Sequence, residues 1–451
     1  MKHDPNIQIQ LSSWLLPILT TALIILQFLR PYQGWLALLI GLGGAWIIGW
    51  FWTWRLARGL RLIREMRYGW AQVGDRVEER FQLINTSIVA APWVEVIDQS
   101  TLPTGGAPPA TLDRGSIWFN DNAPASRIVS AGSRGLIRWY TEAVCARRGV
   151  FTIGPTTVRA SDPLGLWALS LHDPATTMLM VLPPIVPLPA IEVAPGGRVG
   201  EGKPRAHTLE RVVTAAEVRD WAPGDSLRFV HWPTTARRDS FFVRQFDSAS
   251  ASDWWIFLDM NRAAQVGEAQ DSTDEHAIIL AASLADRGLG SGRAVGMAAH
   301  SDDLIWLTPR AGESQRWEIL RALAVLNRGP VSLRDLLTRT RSSLRTLASL
   351  ILITPAVGGD WIDSLVPLIQ RGVTPTVLLL DSVSFGGSVD PGPTLAALTD
   401  LGVAHYVIDR SLLNQPQARP GRQGQWEWHV SPHGKAIARG PAREASWRAL
   451  S

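Results

Sequence analysis

The amino-terminal part of the chain carries two long stretches without a charged side chain, residues 6–29 and 31–54. Each stretch holds about 24 residues, enough for a helix to cross a hydrocarbon core of roughly 30 Å. The pattern predicts two spans joined at residues 30–34, which is a transmembrane helical hairpin. A cleaved signal peptide fits less well, because the second apolar stretch follows at once and no small-residue cleavage site ends the first. A helical hairpin buried in a soluble core is the other alternative.

Arginine recurs at every third position after the second apolar stretch. This spacing would line the side chains along one face of a helix, so residues 1–69 are predicted to form the hairpin and a basic juxtamembrane helix. The positive-inside rule then places the soluble domains in the cytoplasm, below a two-pass anchor in the cell membrane. The arginines would bind the anionic surface of the lipid bilayer or would only set the topology. They are Arg55, Arg58, Arg61, Arg64 and Arg67.

Residues 70–182 change to short runs of alternating apolar and polar positions. These runs are bounded by Gly, Pro, Asn and Ser, which is typical of strands separated by turns. The segment is predicted to form a small all-β domain resembling a sandwich. Residues 183–207 are rich in proline and glycine and are predicted to be a linker. The predicted strands are residues 77–84, 92–97, 136–144 and 150–158.

Residues 208–410 alternate apolar strands with helical patterns, which favours an α/β doubly wound domain. The run 254–258 is wholly apolar and ends in Asp259, as expected of a buried parallel strand. Further strands are predicted at 294–298, 350–353, 375–380 and 404–408, and helices at 276–286, 313–326 and 331–347. Residues 411–451 are predicted to be a carboxy-terminal tail with one last strand in the QWEWHV run.

The composition excludes several classes of function. There are 44 Lys plus Arg against 40 Asp plus Glu, a net charge of +4 that is too small for this length to indicate nucleic-acid binding. Cys145 is the only cysteine, so an intrachain disulfide is impossible and a cysteine metal site is disfavoured. No P-loop, no G-x-G-x-x-G after a strand and no H-E-x-x-H occurs. We therefore predict no cofactor and identify no small-molecule substrate.

The residues that most need a chemical reason lie between Arg219 and Arg238. A histidine side chain ordinarily titrates near neutral pH, and His231 follows Asp225 by six residues, so the two could serve a hydrolase. However, no serine or cysteine stands in a recognisable nucleophile elbow. The favoured interpretation is structural, with His231 hydrogen-bonded in a core and Asp225 paired to an arginine. No catalytic residue is assigned.

This stretch resembles the signature of the domain of unknown function 58 family, in which a PGD turn, an Arg, an (I/V)HW and a TAR follow each other. The DPLGLW run at 162–167 resembles a second landmark of that family. It would be either a docking surface around Trp167 or, as we favour, a packed turn at a domain corner. The residues that carry the signature, and that could bind a partner, are Pro223, Gly224, Asp225, Arg228, His231, Trp232, Thr235 and Arg237.

The order of elements after residue 208 also resembles a von Willebrand factor A domain. That resemblance implies a D-x-S-x-S metal motif after the first strand, where this chain has Asp259, Asn261 and Ala263. After the strand at 350–353, Thr354 is followed by Pro355, where an aspartate often completes such a site. Magnesium requires near-octahedral oxygen coordination, so we predict no metal site and keep magnesium at Asp259 as a disfavoured alternative.

The family resemblance suggests that the protein is an assembly or adaptor factor with a MoxR-type AAA+ ATPase as its partner. A degraded metal motif on a binding-type fold fits protein interaction better than catalysis. Two alternatives stay open: a hydrolase that uses His231 and Asp225, and a structural protein of the cell envelope.

Overall fold

The computed structural model describes residues 6–67, 69–101, 125–188, 191–194, 215–220, 232–238, 240–246, 253–344, 348–411, 427–430, 436–439 and 448–449. The chain divides into two compact units. Unit 1 comprises Met1–Pro183 with Gly421–Ser451, and unit 2 comprises Pro184–Pro420.

Unit 1 begins with a strand and two consecutive apolar helices. Strand β1 (Ile7–Leu11) leads into helix α1 (Leu15–Leu29), and helix α2 (Gln33–Gly59) follows after a short connection. By length and composition α2 could cross a membrane, whereas α1 is shorter, with 15 residues. Among the described residues, one apolar helix near the amino terminus is thus long enough to span a membrane.

The predicted basic juxtamembrane helix is wrong. Helix α2 ends at Gly59, and the next residues form strand β2 (Leu60–Met66). Because side chains alternate along a strand, Arg61 is exposed whereas Arg64 is buried. The spacing of three therefore does not place the five arginines on one face.

Nine further strands are described between β2 and residue 183. They are β3 (Trp70–Gln72), β4 (Arg76–Asn85), β5 (Ala91–Asp98), β6 (Ala125–Ala131), β7 (Leu136–Val144), β8 (Gly149–Ile153), β9 (Thr156–Ser161), β10 (Trp167–Asp173) and β11 (Thr177–Leu182). The strands predicted near β4, β5 and β7 are present. The single strand predicted at 150–158 is two strands, because the chain turns at Gly154 and Pro155.

Within the described residues, strands β1 to β11 lie in three sheets. One has the order β1-β10-β9-β5-β6, a second has the order β3-β11-β8, and a third joins Arg448–Ala449 to β2, β4 and β7. The main core contains Leu56 from the end of α2, Leu60, Leu83 and Leu169. Both ends of the helical pair are therefore built into the same unit, because β1 pairs with β10 and β2 pairs with β4.

Unit 2 contains the α/β part of the chain. Its elements are β12 (Ala215–Asp220), α3 (Trp232–Arg238), β13 (Phe242–Phe246), β14 (Trp254–Leu258), α4 (Thr273–Gly290), β15 (Val295–His300), β16 (Leu304–Arg310), α5 (Glu313–Val325), α6 (Leu333–Thr340), β17 (Ser349–Thr354), α7 (Val366–Gln370), β18 (Thr374–Leu380), α8 (Gly392–Asp400) and β19 (Ala404–Ile408). Helix α6 is shorter than the predicted helix at 331–347, and β16 was not predicted.

The main sheet of unit 2 has six strands in the order β16-β15-β14-β17-β18-β19. All neighbouring pairs are parallel except β15 with the edge strand β16. The chain moves outward from β14 to β15 and then returns to place β17 on the other side of β14. This is a doubly wound α/β sheet with a topological switch point between β14 and β17. Helix α4 contacts β14, while α6, α7 and α8 contribute to a core built on Trp255, Phe257 and Leu352.

The described part of the predicted linker lies packed on unit 2. The backbone N–H of Val186 donates to Ser283 Oγ (2.9 Å), and that of Ala194 donates to Thr376 Oγ1 (3.1 Å). Val186 and Ile191 are buried. Proline in this segment removes backbone donors and prevents strand pairing, but it does not prevent burial.

The carboxy-terminal residues contain the strand predicted in the QWEWHV run. Strand β20 (Glu427–Val430) pairs with β21 (Ala436–Arg439), and the short strand β22 (Arg448–Ala449) pairs with β2.

Candidate functional site

The carboxyl ends of β14 and β17 meet at the switch point, where doubly wound sheets bind their ligands. Asp259 follows β14, and its backbone N–H donates to the carbonyl oxygen of Ile353 (3.0 Å). Thr354 is the last residue of β17, so the parallel register places its side chain next to that of Asp259. The Thr354 hydroxyl donates to Asp259 Oδ2 (2.7 Å).

Asp259 is almost fully buried, at 2% exposure, and both carboxylate oxygens have protein donors. Oδ1 accepts the backbone N–H of Asn261 (3.0 Å), and the Thr354 hydroxyl in turn accepts the N–H of Ala356 (2.9 Å). Burial raises the pKa of Asp259 above its usual value, although the hydrogen bonds from Thr354 and Asn261 act in the opposite direction. The carboxylate therefore holds two loops together.

A second set of contacts ties the loop after β14 to helix α4. Gln265 donates through Nε2 to the carbonyl oxygen of Asp259 (2.6 Å) and accepts the Thr273 hydroxyl at Oε1 (2.6 Å). Asn261 Oδ1 accepts the N–H of Ala263 (2.9 Å), so the side chain at the second motif position also stabilises the loop.

Gly329 connects this loop to the chain before α6. Its N–H donates to the carbonyl oxygen of Met260 (2.7 Å), and its own carbonyl oxygen accepts the N–H of Arg262 (2.8 Å). A Cβ atom at this position would lie 2.5 Å from the carbonyl oxygens of His300 and Ser301, which only glycine avoids. The three loops at the switch point are therefore held in one arrangement.

The neighbouring ion pair was not found by reasoning on the sequence. Arg328 Nη2 donates to Asp274 Oδ1 (2.7 Å) in the first turn of α4 and to the carbonyl oxygen of Gly267 (3.1 Å). Burial opposes ionisation of Asp274, but hydrogen bonds from Arg328 and Ser272 outweigh it and lower the pKa. Arg328 and Asp274 are 54 positions apart in the sequence, so no local motif predicts that they pair.

The residues at the switch point do not fit magnesium. Asp259, Asn261 and Thr354 carry side-chain oxygens at this point. The oxygens of Asp259 and Asn261 already accept protein hydrogen bonds, and position 263 is alanine, which has no oxygen to offer a metal. Within the described ranges, no group of three or more His, Cys, Asp and Glu side chains is arranged to hold a metal ion.

The described signature residues lie in helix α3, between the paired strands β12 and β13. Thr235 lies in α3, and its hydroxyl accepts the backbone N–H of Phe242 (3.1 Å) at the start of β13. Trp232 is 62% exposed and contacts Phe241 edge to face, and Arg237 is exposed. Pro223, Gly224, Asp225, Arg228 and His231 lie outside the described residues. The proposed pairing of His231 and Asp225 therefore stays a hypothesis.

The DPLGLW run is a packed turn with an unexpected neighbour. Asp162 Oδ1 accepts the N–H of Trp167 (2.6 Å), and Trp167 Nε1 donates to the carbonyl oxygen of Trp46 in α2 (3.1 Å). A Cβ on Gly49 would lie 3.2 Å from both Asp162 and Trp167. The turn therefore packs against the apolar helix.

Residues 217–382 match the family described as Protein of unknown function DUF58. This segment of the chain belongs to the DUF58 family. The matched segment runs from β12 to just beyond β18, so it includes the described signature residues, Asp259 and Thr354.

The DUF58 chain is similar to curated proteins that are themselves uncharacterised. One from Mycobacterium tuberculosis and one from Mycobacterium bovis are each 27% identical over 130 residues. The match covers 29% of this chain and 41% of each relative, so it spans less than half of those proteins.

Two solved structures show only distant likeness. A von Willebrand factor type A protein from Catenulispora acidiphila is 12% identical, with a TM-score of 0.25 over 36% of this chain and 40% of that one. The CARDB domain of a Pyrococcus furiosus protein is 11% identical, with a TM-score of 0.17 over 27% of this chain and 94% of that one. TM-scores this low do not assign a fold, so the fold of unit 2 is described by its own strand order.

Proposed function

We propose that this DUF58 protein is a membrane-anchored assembly or adaptor factor whose α/β unit binds a partner protein and catalyses no reaction. The proposal rests on the burial and hydrogen bonding of the carboxylate at the switch point. Asp259, the one carboxylate described at that position, is 2% exposed and accepts hydrogen bonds from Thr354 and Asn261. A buried carboxylate that accepts a protein hydrogen bond at each oxygen stabilises the loops around it, which favours a structural role for Asp259 in a binding surface.

The anchor is a two-pass helical hairpin. Strands β1 and β2 flank the helices and both belong to unit 1, which supports an even number of crossings. Arg55 and Arg58 lie at the end of α2 nearest the strands, while Arg30 is the only charged residue of the connection between α1 and α2. The arginine excess on the strand side supports a cytoplasmic position for both units, in the cell membrane of a bacterium.

The proposed partner is an AAA+ ATPase of the MoxR type, as the DUF58 resemblance suggests. Exposed arginines offer two surfaces for it. Arg262 follows the switch-point strand and Arg237 lies in α3 of the signature. Reversal of either charge would disturb a docked partner without disturbing the buried contacts of Asp259.

The test is an affinity purification of the full chain from mild detergent with a tag after Ser451 and ATP analogue present. The variants Arg262→Glu and Arg237→Glu are compared with Arg321→Glu, an exposed control of equal charge change on α5. We expect wild type and the control to retain an AAA+ ATPase, identified by mass spectrometry, and at least one test variant to lose it.

Two results would contradict the proposal. Recovery of the ATPase by all four proteins would exclude both surfaces, and recovery of no ATPase by wild type would exclude the partner. Hydrolysis of a model ester by the wild type, abolished in His231→Gln with the fold intact, would favour the hydrolase instead.

A further inference from the structure

The turn 162–167 marks the level at which the helical hairpin leaves the strands of unit 1. On the side of α1, the N–H of Ser12 donates to the carbonyl oxygen of Leu166 (2.8 Å). On the side of α2, the Trp167 ring packs at a tilt of 36° against the Trp46 ring, with ring centroids 5.7 Å apart, and its Nε1–H donates to the Trp46 carbonyl oxygen. The turn therefore contacts α2 directly and the chain three residues before α1.

The arms beyond this level are too short for a full crossing. Helix α1 has 15 residues, which is about 22 Å at 1.5 Å per residue. The part of α2 before Trp46 is of similar length, about 20 Å. A typical hydrocarbon core is roughly 30 Å thick, so both arms fall short by about 8 to 10 Å.

The exposed face of α2 continues past the turn. Ile47 and Ile48 are each 60% exposed, and Trp50 and Phe51 are exposed as well, although Gly49 on the opposite face is buried against the turn. From Gln33 to Phe51 the helix covers about 28 Å, which matches a hydrocarbon core. The guanidinium carbon of Arg58 then lies 3.8 Å from the ring centre of Trp54, as expected of a cation at the membrane surface.

The turn has the chemistry required to lie at this depth. Its tip, Pro163, Leu164 and Gly165, is exposed and uncharged, and Leu164 is 61% exposed. Asp162 is 2% exposed, and its oxygens accept the N–H groups of Leu164 (2.9 Å) and Trp167 (2.6 Å). Burial in protein with satisfied acceptors is the condition under which irregular backbone and a polar group occur at membrane depth.

We propose that the turn 162–167 is immersed in one leaflet of the membrane, with Leu164 in contact with lipid acyl chains. The anchor is then the hairpin together with a part of the strand unit, and the final turns of α2 are shared by both. This inference rests on the proposed membrane anchoring, and the ligand is the lipid bilayer itself.

Single cysteines test this depth. The native Cys145 is fully buried, and burial raises the pKa of its thiol to about 12, so it stays protonated and unreactive with maleimides near neutral pH. Leu164→Cys is compared with Ile40→Cys in the exposed face of α2 and with Met178→Cys, which is 73% exposed in β11. β11 packs at the Met66 end of β2, about 20 Å from the end next to α2.

The full chain is labelled with a maleimide derivative of the polarity-sensitive dye NBD and reconstituted into phosphatidylcholine–phosphatidylglycerol vesicles. Quenching by nitroxide-labelled lipid is compared with quenching by iodide in the buffer. We expect the dye at positions 164 and 40 to be quenched at least several-fold more by nitroxide lipid than the dye at 178, and to be shielded from iodide.

The outcomes separate this inference from the anchoring proposal. If position 40 is lipid-quenched and position 164 behaves like 178, the turn lies in water and the inference is wrong, while the anchor stands. If position 40 is also accessible to iodide and unaffected by nitroxide lipid, membrane anchoring itself is wrong. If the unlabelled Leu164→Cys protein has an altered thermal transition, the same measurement is made with the dye at Pro163→Cys.

Discussion

At the scale of single residues, Arg64 shows how a charged side chain that usually lies at the surface can be part of a core. Its guanidinium donates to Glu79 Oε2 (2.6 Å) and to both oxygens of Asp98 (2.8 Å each). It also lies over the ring of Phe81 at 4.9 Å. Burial alone would lower the pKa of Arg64, but the charges of Glu79 and Asp98 outweigh it and raise the pKa. Burial also raises the pKa of Glu79, although Arg64 opposes that shift.

Replacement of Arg64 should therefore destabilise unit 1 strongly. Arg64→Met would leave two buried carboxyl groups without their cation, which costs about 3–5 kcal/mol in comparable buried pairs. The control is Arg76→Met, which removes an exposed pair with Glu142 and should change stability by about 0–1 kcal/mol. Urea unfolding in detergent, followed by tryptophan fluorescence, measures both. Equal midpoints for the two variants would show that the buried cluster adds no stability.

At the scale of elements, helix α4 illustrates how close packing on a sheet selects a residue. Gly288 faces β14, and a Cβ atom there would lie 2.7 Å from the ring of Trp254 and 2.8 Å from Val295. The same ring is covered by Arg293, whose guanidinium lies 5.2 Å from its centre. The helix can approach the strand this closely because position 288 has no side chain.

Gly288→Ala should thus destabilise unit 2 although alanine favours helices. Overpacking costs about 1–3 kcal/mol, which exceeds the gain in helix propensity of up to about 1 kcal/mol. Gly290→Ala is the matched control, because a Cβ there meets no atom within 4 Å and stability should stay equal or rise by up to about 1 kcal/mol. Thermal unfolding of both variants decides the point, and equal stabilisation by the two alanines would contradict the packing argument.

At the scale of the whole molecule, the pairing of the first strand constrains the topology. The register between β1 and β10 joins Gln10 to Ala168, while β2 joins β4 within the same unit. Whatever path α1 and α2 follow through a membrane, their outer ends must return to one side. The sequence pattern suggested an even number of spans, and the strand pairing supplies a physical reason for it.

Cysteines on both sides of the hairpin test this topology. We expect Arg76→Cys and Met178→Cys to react with a membrane-impermeant maleimide only in inverted vesicles, and Tyr32→Cys in the connection between the helices to react only in intact cells. Tyr32 is 63% exposed, so its lack of reaction in one preparation would not be caused by burial. Reaction of all three positions from one side would mean that the hairpin enters one leaflet and does not cross.

Part of the architecture could be predicted because it depends on local pattern. The apolar runs at β14, β17 and β18 mark buried parallel strands, and their alternation with helices marks a doubly wound sheet. Strand β16 was missed because it lies at the sheet edge, where half-exposed positions such as Ile305 and Trp306 blur the pattern.

The sequence by itself determined the uncharged stretches near the amino terminus, the parallel strands and three of the helices of unit 2, and the positions of Asp259 and Thr354 at strand ends. Only the tertiary structure decided which of these residues meet. Arginine at every third position is compatible with one face of a helix. In the structure these residues instead continue into strand β2, and its pairing with β4 buries the side chain of Arg64. Likewise, Trp167 reaches Trp46 across 121 residues. Contacts at such separation depend on how sheets and helices pack, which no local periodicity encodes.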